Sequence, residues 1–241
     1  MDFLGMVKRL ITELGVDLPA NMTSVIITPA TSYGGTTEFL NKCVNWVSQA
    51  WIEIQEDQQD WNFMREDGSF DLTQGQPEYD IELEPGLSDY DGIRPFVAPI
   101  QSRYIWLVND TVSPSVKTHV YYIPPELYFG YFDRLETVPG QSYRYTFKSN
   151  GCVLLDPAPG PTAGKLEFLY RRTVQTLAAD TDTPTGLPTK FHMAIVYRAM
   201  EYYSGFDETQ PQWGRAQKLG KRMMNKLYIE QLPEYLVVGT R

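Results

Sequence analysis

The sequence predicts an α+β protein: a four-helix bundle drawn from both chain ends, with an antiparallel β-sandwich or barrel-like domain inserted between its halves. Three observations predict it. Apolar residues recur at helical spacing from Phe3 to Ile54 and again after Thr189. Between Tyr79 and Leu177 the period falls to two, and Pro and Gly break the run into short strands. Each helix carries one apolar stripe, and pairing the first two helices with the last two is the simple way to bury all four. The expected division is residues 1–75 and 186–231 for the helical part, 76–185 for the β insert and 232–241 for a C-terminal tail.

The elements follow in order. Phe3, Val7, Leu10, Ile11 and Leu14 share one helical face, and Gly15 suits the position just past the helix end. Residues 16–35, with Pro19, Pro29 and Gly34-Gly35, read as a loop. Thr36 is a candidate N-cap for a long helix to about Asp60. On that helix Phe39, Cys43, Val47, Ala50 and Ile54 align, flanked by Trp46 and Trp51, while Glu53, Glu56 and Asp60 lie on the polar side. Period-two stretches follow at Tyr104–Val108 and His119–Ile123, and Ser142–Phe147, the apolar run from Cys152 and Lys165–Arg172 read as further strands. Ile195, Val196, Ala199, Met200 and Tyr203 restore the helical spacing, closed by Gly205. A last helix over 212–231 buries Ala216, Leu219, Gly220, Met223 and Leu227 and turns Arg215, Lys218, Arg222 and Lys226 to the opposite edge. The tail after Pro233 is apolar and too short to fold alone.

Composition narrows the function classes. The net charge of −9 argues against a protein that coats nucleic acid by counterion release. Residues 53–91 hold thirteen acids against Arg65 alone, a surface that repels phosphate. The 16 tyrosines and 17 prolines suit broad, stiff amphipathic surfaces of the kind found at interfaces. Cys43 and Cys152 are too far apart in sequence to form a metal pattern or a disulfide framework, and a reducing compartment is expected. The first nine residues carry charge where a secretory signal would be apolar. No apolar run approaches the ~20 residues that a membrane span needs.

Catalytic and ligand chemistry finds little support. His192 falls on an apolar helical face and His119 on a distant strand, so neither a metal cluster nor a Ser-His-Asp arrangement is encouraged. Gly160-Pro161-Thr162-Ala163-Gly164-Lys165 is one residue short of a phosphate loop, and Leu166 stands where a Ser or Thr must hold magnesium; a hairpin turn is expected. Asp89-Tyr90-Asp91-Gly92 and Asp180-Thr181-Asp182 lack the later acidic ligand of a calcium loop. Glu53, Asp60, Asp91 and Asp182 are the best available acids, and none has an evident base or nucleophile. No enzyme activity, cofactor or metal is expected.

The segments in order resemble the head-to-tail adaptor proteins of tailed bacteriophages, the connector ring below the portal. The resemblance runs from about Thr36 to Tyr228. It rests on Gln59-Asp60-Trp61-Asn62-Phe63, Gly75-Gln76-Pro77-Glu78-Tyr79-Asp80-Ile81, Tyr122-Ile123-Pro124-Pro125, Val153–Pro159, Leu169-Tyr170-Arg171-Arg172 and Leu187–His192. It implies a structural, non-enzymatic virion protein of the neck, assembled in the host cytoplasm. It also implies a homo-oligomeric ring, usually dodecameric, with the portal protein above and tail tube or nozzle proteins below. Genomic DNA would pass through without sequence-specific binding, and no membrane is involved. Tyr235, Leu236, Val237 and Val238 become candidate portal contacts. Glu53, Glu56 and Asp60 become candidate partners, between subunits, of Arg215, Lys218, Arg222 and Lys226. Two alternatives stand beside it. A receptor- or carbohydrate-binding tail module predicts aromatics clustered on one exposed β face, and a hydrolase predicts two carboxylates facing across a cleft.

Overall fold

The computed structural model describes residues 1–17, 22–25, 37–58, 60–81, 87, 105–109, 116–132, 139–149, 151–161, 164–206 and 212–232. Among these, five helices occur: α1 (Phe3–Glu13), α2 (Thr37–Asp57), the single turn α3 (Pro125–Leu127), α4 (His192–Phe206) and α5 (Gln212–Gln231). Eight strands occur: β1 (Arg65–Asp71), β2 (Glu78–Tyr79), β3 (Ile105–Asn109), β4 (Val116–His119), β5 (Tyr121–Tyr122), β6 (Arg144–Phe147), β7 (Val153–Asp156) and β8 (Lys165–Arg171). The protein is therefore mixed α+β. It divides into two compact units, Met1–Met64 with Val174–Arg241, and Arg65–Thr173.

In the helical unit, α4 packs against α1, α2 and α5, and α1 packs against α2. Helix α1 starts where the Asp2 carboxylate accepts the Gly5 N–H at 2.8 Å, and it stops at Gly15, whose φ of 73° is a left-handed conformation that glycine adopts without strain. Helix α2 buries Cys43, Val47, Ala50 and Ile54 of the stripe read from the sequence together with flanking Trp51, whereas Phe39 is only partly buried. It ends at Asp57, short of the expected Asp60, and the proposed cap Thr36 lies outside the described residues. Trp61 caps it from beyond its end: the indole N–H donates to the Ile54 carbonyl at 2.7 Å, one of the last-turn oxygens that lack a partner within the helix. Buried Gln55 donates to the carbonyl of Gln175 at 2.9 Å and accepts that residue's N–H at 2.9 Å, so the returning chain is bonded to α2. Helix α4 follows a 3-10 turn at Thr189–Phe191 and runs on through Gly205 to Phe206, one residue past the glycine expected to close it.

The β unit is built from two four-stranded sheets, ordered β1-β8-β3-β4 and β2-β7-β6-β5. Along β8, Leu166, Phe168 and Tyr170 turn inward and alternate with half-buried neighbours. They share a core with Phe70, Ile105 and Leu107 of the same sheet and with Tyr79, Tyr145, Val153 and Leu155 of the other. The rings of Phe70 and Tyr79 meet between the sheets at 5.1 Å.

Several expectations need correction. The sheets are open and do not close into a barrel, and β5 pairs with β6 in parallel, so the insert is not purely antiparallel. The run His119–Ile123 is not one strand: β4 ends at His119, Val120 is fully buried at the crossing, and β5 begins in the other sheet. The β structure also starts before Tyr79, because Arg65–Asp71 pairs with β8 along its whole length. Its Glu, Asp, Gly and Ser content has low strand propensity, and cross-strand pairing overrides it. The turn from Gly160 to Lys165 is not a hairpin: β7 and β8 belong to different sheets. Gly164 is required there, since a Cβ would lie 1.8 Å from the Val108 carbonyl oxygen.

Candidate interaction surface

Helix α5 separates its residues by face. Ala216, Gly220 and Leu227 are buried, and Gly220 faces Tyr197 and Glu201 of α4. Arg215, Lys218, Lys221, Arg222 and Lys226 are all exposed. The helix has no acid before Glu230, which already pairs with Lys190. Among the described residues, no hydrogen bond or ion pair engages any of these five cations. Ile229 continues the same edge and is 66% exposed.

The acids of α2 are placed differently. Glu53 accepts from Arg198 of α4 at 3.0 Å, and Arg198 also reaches Glu201 at 2.8 Å. Asp57 accepts the phenol of Tyr228. Burial first, and then the Asp57 hydrogen bond, raise the Tyr228 phenol above its usual range, so it stays a neutral donor. These groups line a cleft of about 320 Å³ between α2, α4 and α5, with Lys221 and Asn225 at its α5 wall. Glu56 is exposed and Asp60 is half-buried. Of the three acids proposed to meet a neighbour, Glu53 thus has a partner in its own chain. Sequence reasoning did not find Arg198, although it is the only Lys or Arg on α4 and has Glu201 three residues on, which marks it as a charge anchor on an otherwise apolar helix.

Other candidate positions have structural partners. His192 is buried; its Nδ1 lies 2.8 Å from the Met1 ammonium and its Nε2 lies 3.2 Å from the Leu187 carbonyl. Nδ1 also lies 2.9 Å from the Met1 carbonyl oxygen, so the ring is held between the Met1 and Leu187 backbone. Asp182 accepts the Ala178 and Ala179 N–H groups at 2.8 Å each, and these bonds lower its carboxyl pKa. Asp180 accepts from Val25 N at 2.6 Å. Both carboxylates therefore cap backbone. Among the described residues no group of His, Cys, Asp and Glu is placed to hold a metal, and no helix is long and apolar enough to cross a membrane. Cys43 and Cys152 are free and buried, and burial pushes the Cys43 thiol up to about 12. His119 stacks on Trp106 with ring centroids 3.5 Å apart. Asp89, Asp91 and Tyr235–Val238 lie outside the described residues.

The β unit presents two further surfaces. The outer face of the β1-β8-β3-β4 sheet carries a shallow groove of about 530 Å³ lined by Asp67, Ser69, Trp106, Lys117, Glu167 and Leu169 among others. Lys117 pairs with Glu167 at 2.5 Å across it, whereas exposed Asp67 and Asp71 have no bonded partner among the described residues. Elsewhere Tyr121, Leu127, Phe129 and Tyr143 stand out at 40–55% exposure.

No curated protein matches the chain. A protein-family model, that of the SU10 adaptor protein, matches residues 1–235, nearly the whole sequence. The match covers well over half of the sequence, and the chain belongs to the SU10 adaptor protein family, a family of structural phage adaptors.

Proposed function

We propose that the chain is a head-to-tail adaptor whose copies close into a ring, dodecameric as in the proteins it resembles, that joins the portal to the tail and lines the DNA channel. The carrying observation is the family match over residues 1–235. Two physical features support it. The exposed cations of α5, unpartnered among the described residues in a chain of net charge −9, give each copy two patches of opposite sign. A ring closed head to tail uses two different patches per subunit in this way. The acidic remainder lets DNA pass without adhering.

In this reading the four long helices from both chain ends act as one bundle with the β domain, residues 76–185 in the sequence division, as an insert. The protein sits in the virion neck and assembles in the host cytoplasm, with tail tube or nozzle proteins below. Tyr235, Leu236, Val237 and Val238 contact the portal protein. A second reading, a receptor- or carbohydrate-binding tail module, draws on exposed Tyr121 and Tyr143, which adjoin through the Tyr121 N–H to Tyr143 carbonyl bond of 2.9 Å. The deciding experiment mixes the chain with purified portal rings and weighs the product by native mass spectrometry. Many copies per portal ring support the adaptor. No binding, or a single bound chain, refutes it, and glycan binding by the free chain would then favour the second reading.

A further inference from the structure

We propose that the groove on the outer face of the β1-β8-β3-β4 sheet is a binding site for a neutral saccharide. The inference goes beyond the ring reading and stands or falls without it, because the groove lies within the β unit. It also uses residues other than exposed Tyr121 and Tyr143.

The strand register builds the site. Ser69, Glu167, Trp106 and His119 stand directly opposite one another on β1, β8, β3 and β4, so they form one row across the sheet. The row lies on the outer face, since the alternate residues Phe70, Leu166, Phe168 and Ile105 turn to the core. The His119 ring stacks on the Trp106 indole with centroids 3.5 Å apart and holds it in place. Beside the row, Asp67 and Leu169 face each other across β1 and β8. Strands β1 and β3 flank β8, so the walls of the groove stand about 9–10 Å apart at 4.7–4.9 Å per strand. The volume of about 530 Å³ falls within the ~300–1,000 Å³ of small-molecule sites.

The chemistry of these residues selects the ligand. Trp106 and Leu169 are partly buried and supply an apolar surface. The C–H face of a sugar ring carries partial positive charge and packs on the negative face of an indole. Asp67 and Ser69 are exposed and have no bonded partner among the described residues. A carboxylate only accepts, so Asp67 calls for a donor, whereas the Ser69 hydroxyl donates and accepts. Glu167 and Lys117 pair at 2.5 Å, and together they offer one more acceptor and one more donor. Ligand hydroxyls, which both donate and accept, match this set. Charge argues for a neutral ligand. Arg65, Lys117, Lys165 and Arg171 on the outer face oppose a cation, and Asp67, Asp71 and Glu167 oppose a polyanion. An extended peptide finds no ladder to join at the groove floor, because β8 is paired with β1 on one side and β3 on the other from Lys165 to Phe168.

The test uses the isotope-labelled full-length chain and neutral tetrasaccharides of glucose, galactose, mannose and N-acetylglucosamine at millimolar concentration. Binding is read at the five indole N–H signals. Trp106→Phe deletes one of them and so identifies it. The expected result is a saturable shift of the Trp106 signal with at least one saccharide. Asp67→Ala, at an exposed site, should weaken that binding about tenfold, and Trp106→Ala should abolish it, while Tyr121→Ala leaves it unchanged. Circular dichroism checks the fold of each variant, and if Trp106→Ala does not fold, Asp67→Ala decides alone. The affinity should change by less than about twofold between low and physiological salt, as a neutral ligand requires. No saturable shift with any of the four saccharides overturns the proposal, as does binding that survives Asp67→Ala. Binding lost in Tyr121→Ala moves the sugar to the exposed tyrosines and also overturns it. A Trp106 signal that responds instead to duplex DNA or to polylysine, with steep salt dependence, assigns the groove to a charged partner and overturns it. A chain that binds the saccharide yet forms no multi-copy assembly on portal rings loses the ring reading and keeps this site.

Discussion

Replacing Trp61 by alanine should be among the most damaging single changes in the helical unit. The indole is fully buried, stacked on Phe63 at 5.2 Å and on Tyr228 at 5.4 Å with the rings 9° from parallel. Its N–H caps Ile54 at the end of α2. Truncating a buried Trp to Ala costs ~3–5 kcal/mol through lost transfer energy and the cavity left behind. The two stacked pairs and the uncapped carbonyl argue for the upper half of that range. For a chain of this size the melting temperature should fall by roughly 6–20 °C. Trp61→Phe keeps an aromatic ring between Phe63 and Tyr228 and removes the cap, so it should cost only ~1–3 kcal/mol. Thermal and urea unfolding followed by circular dichroism give both numbers. A Trp61→Ala loss under ~2 kcal/mol, or equal losses for the two variants, would show that Trp61 does not join α2 to α5 in the way described.

Other outcomes follow from single positions. Gly164→Ala drives a Cβ into the Val108 carbonyl oxygen, a backbone atom that cannot turn aside, and should cost more than ~2 kcal/mol in chemical denaturation. Burial, with the Met1 ammonium adding to it, lowers the His192 pKa below 6.5 in the folded chain, so the neutral ring is the stable one. Its contribution is complete above 6.5 and is lost as pH falls from there through the folded pKa. Melting temperature should therefore drop between pH 7.5 and pH 5.5 by more in wild type than in His192→Gln, and parallel curves would exclude the histidine as the cause. Arg198→Ala should cost at most ~1 kcal/mol, since the side chain is 47% exposed and solvent screens its pairs with Glu53 and Glu201. Deleting residues 233–241 should leave the melting curve unchanged and abolish retention on portal rings in a pull-down; retention at wild-type affinity would remove Tyr235–Val238 as the anchor.

What the sequence alone determined is what local periodicity encodes. The apolar stripes of α1, α2, α4 and α5 and the alternation of β8 repeat at the spacing of one element, so burial of Val47, Ile195, Leu227 and Phe168 could be read without a partner in view. The basic edge of α5 was legible for the same reason. Only the tertiary structure decided which elements meet. Strand β1 has Phe70 as its one strand former and is held by pairing with β8. The run from His119 to Ile123 divides because Val120 is buried at the crossing between two sheets, which a period of two cannot reveal. Glu53 read as a free surface acid until Arg198, 145 residues away, closed on it. The roles of Trp61 and Gln55 emerge only once Ile54, Tyr228 and Gln175 are placed around them. Such pairings depend on contacts between residues far apart in the chain, and their energies appear only when the packed core brings the partners within hydrogen-bond or van der Waals reach.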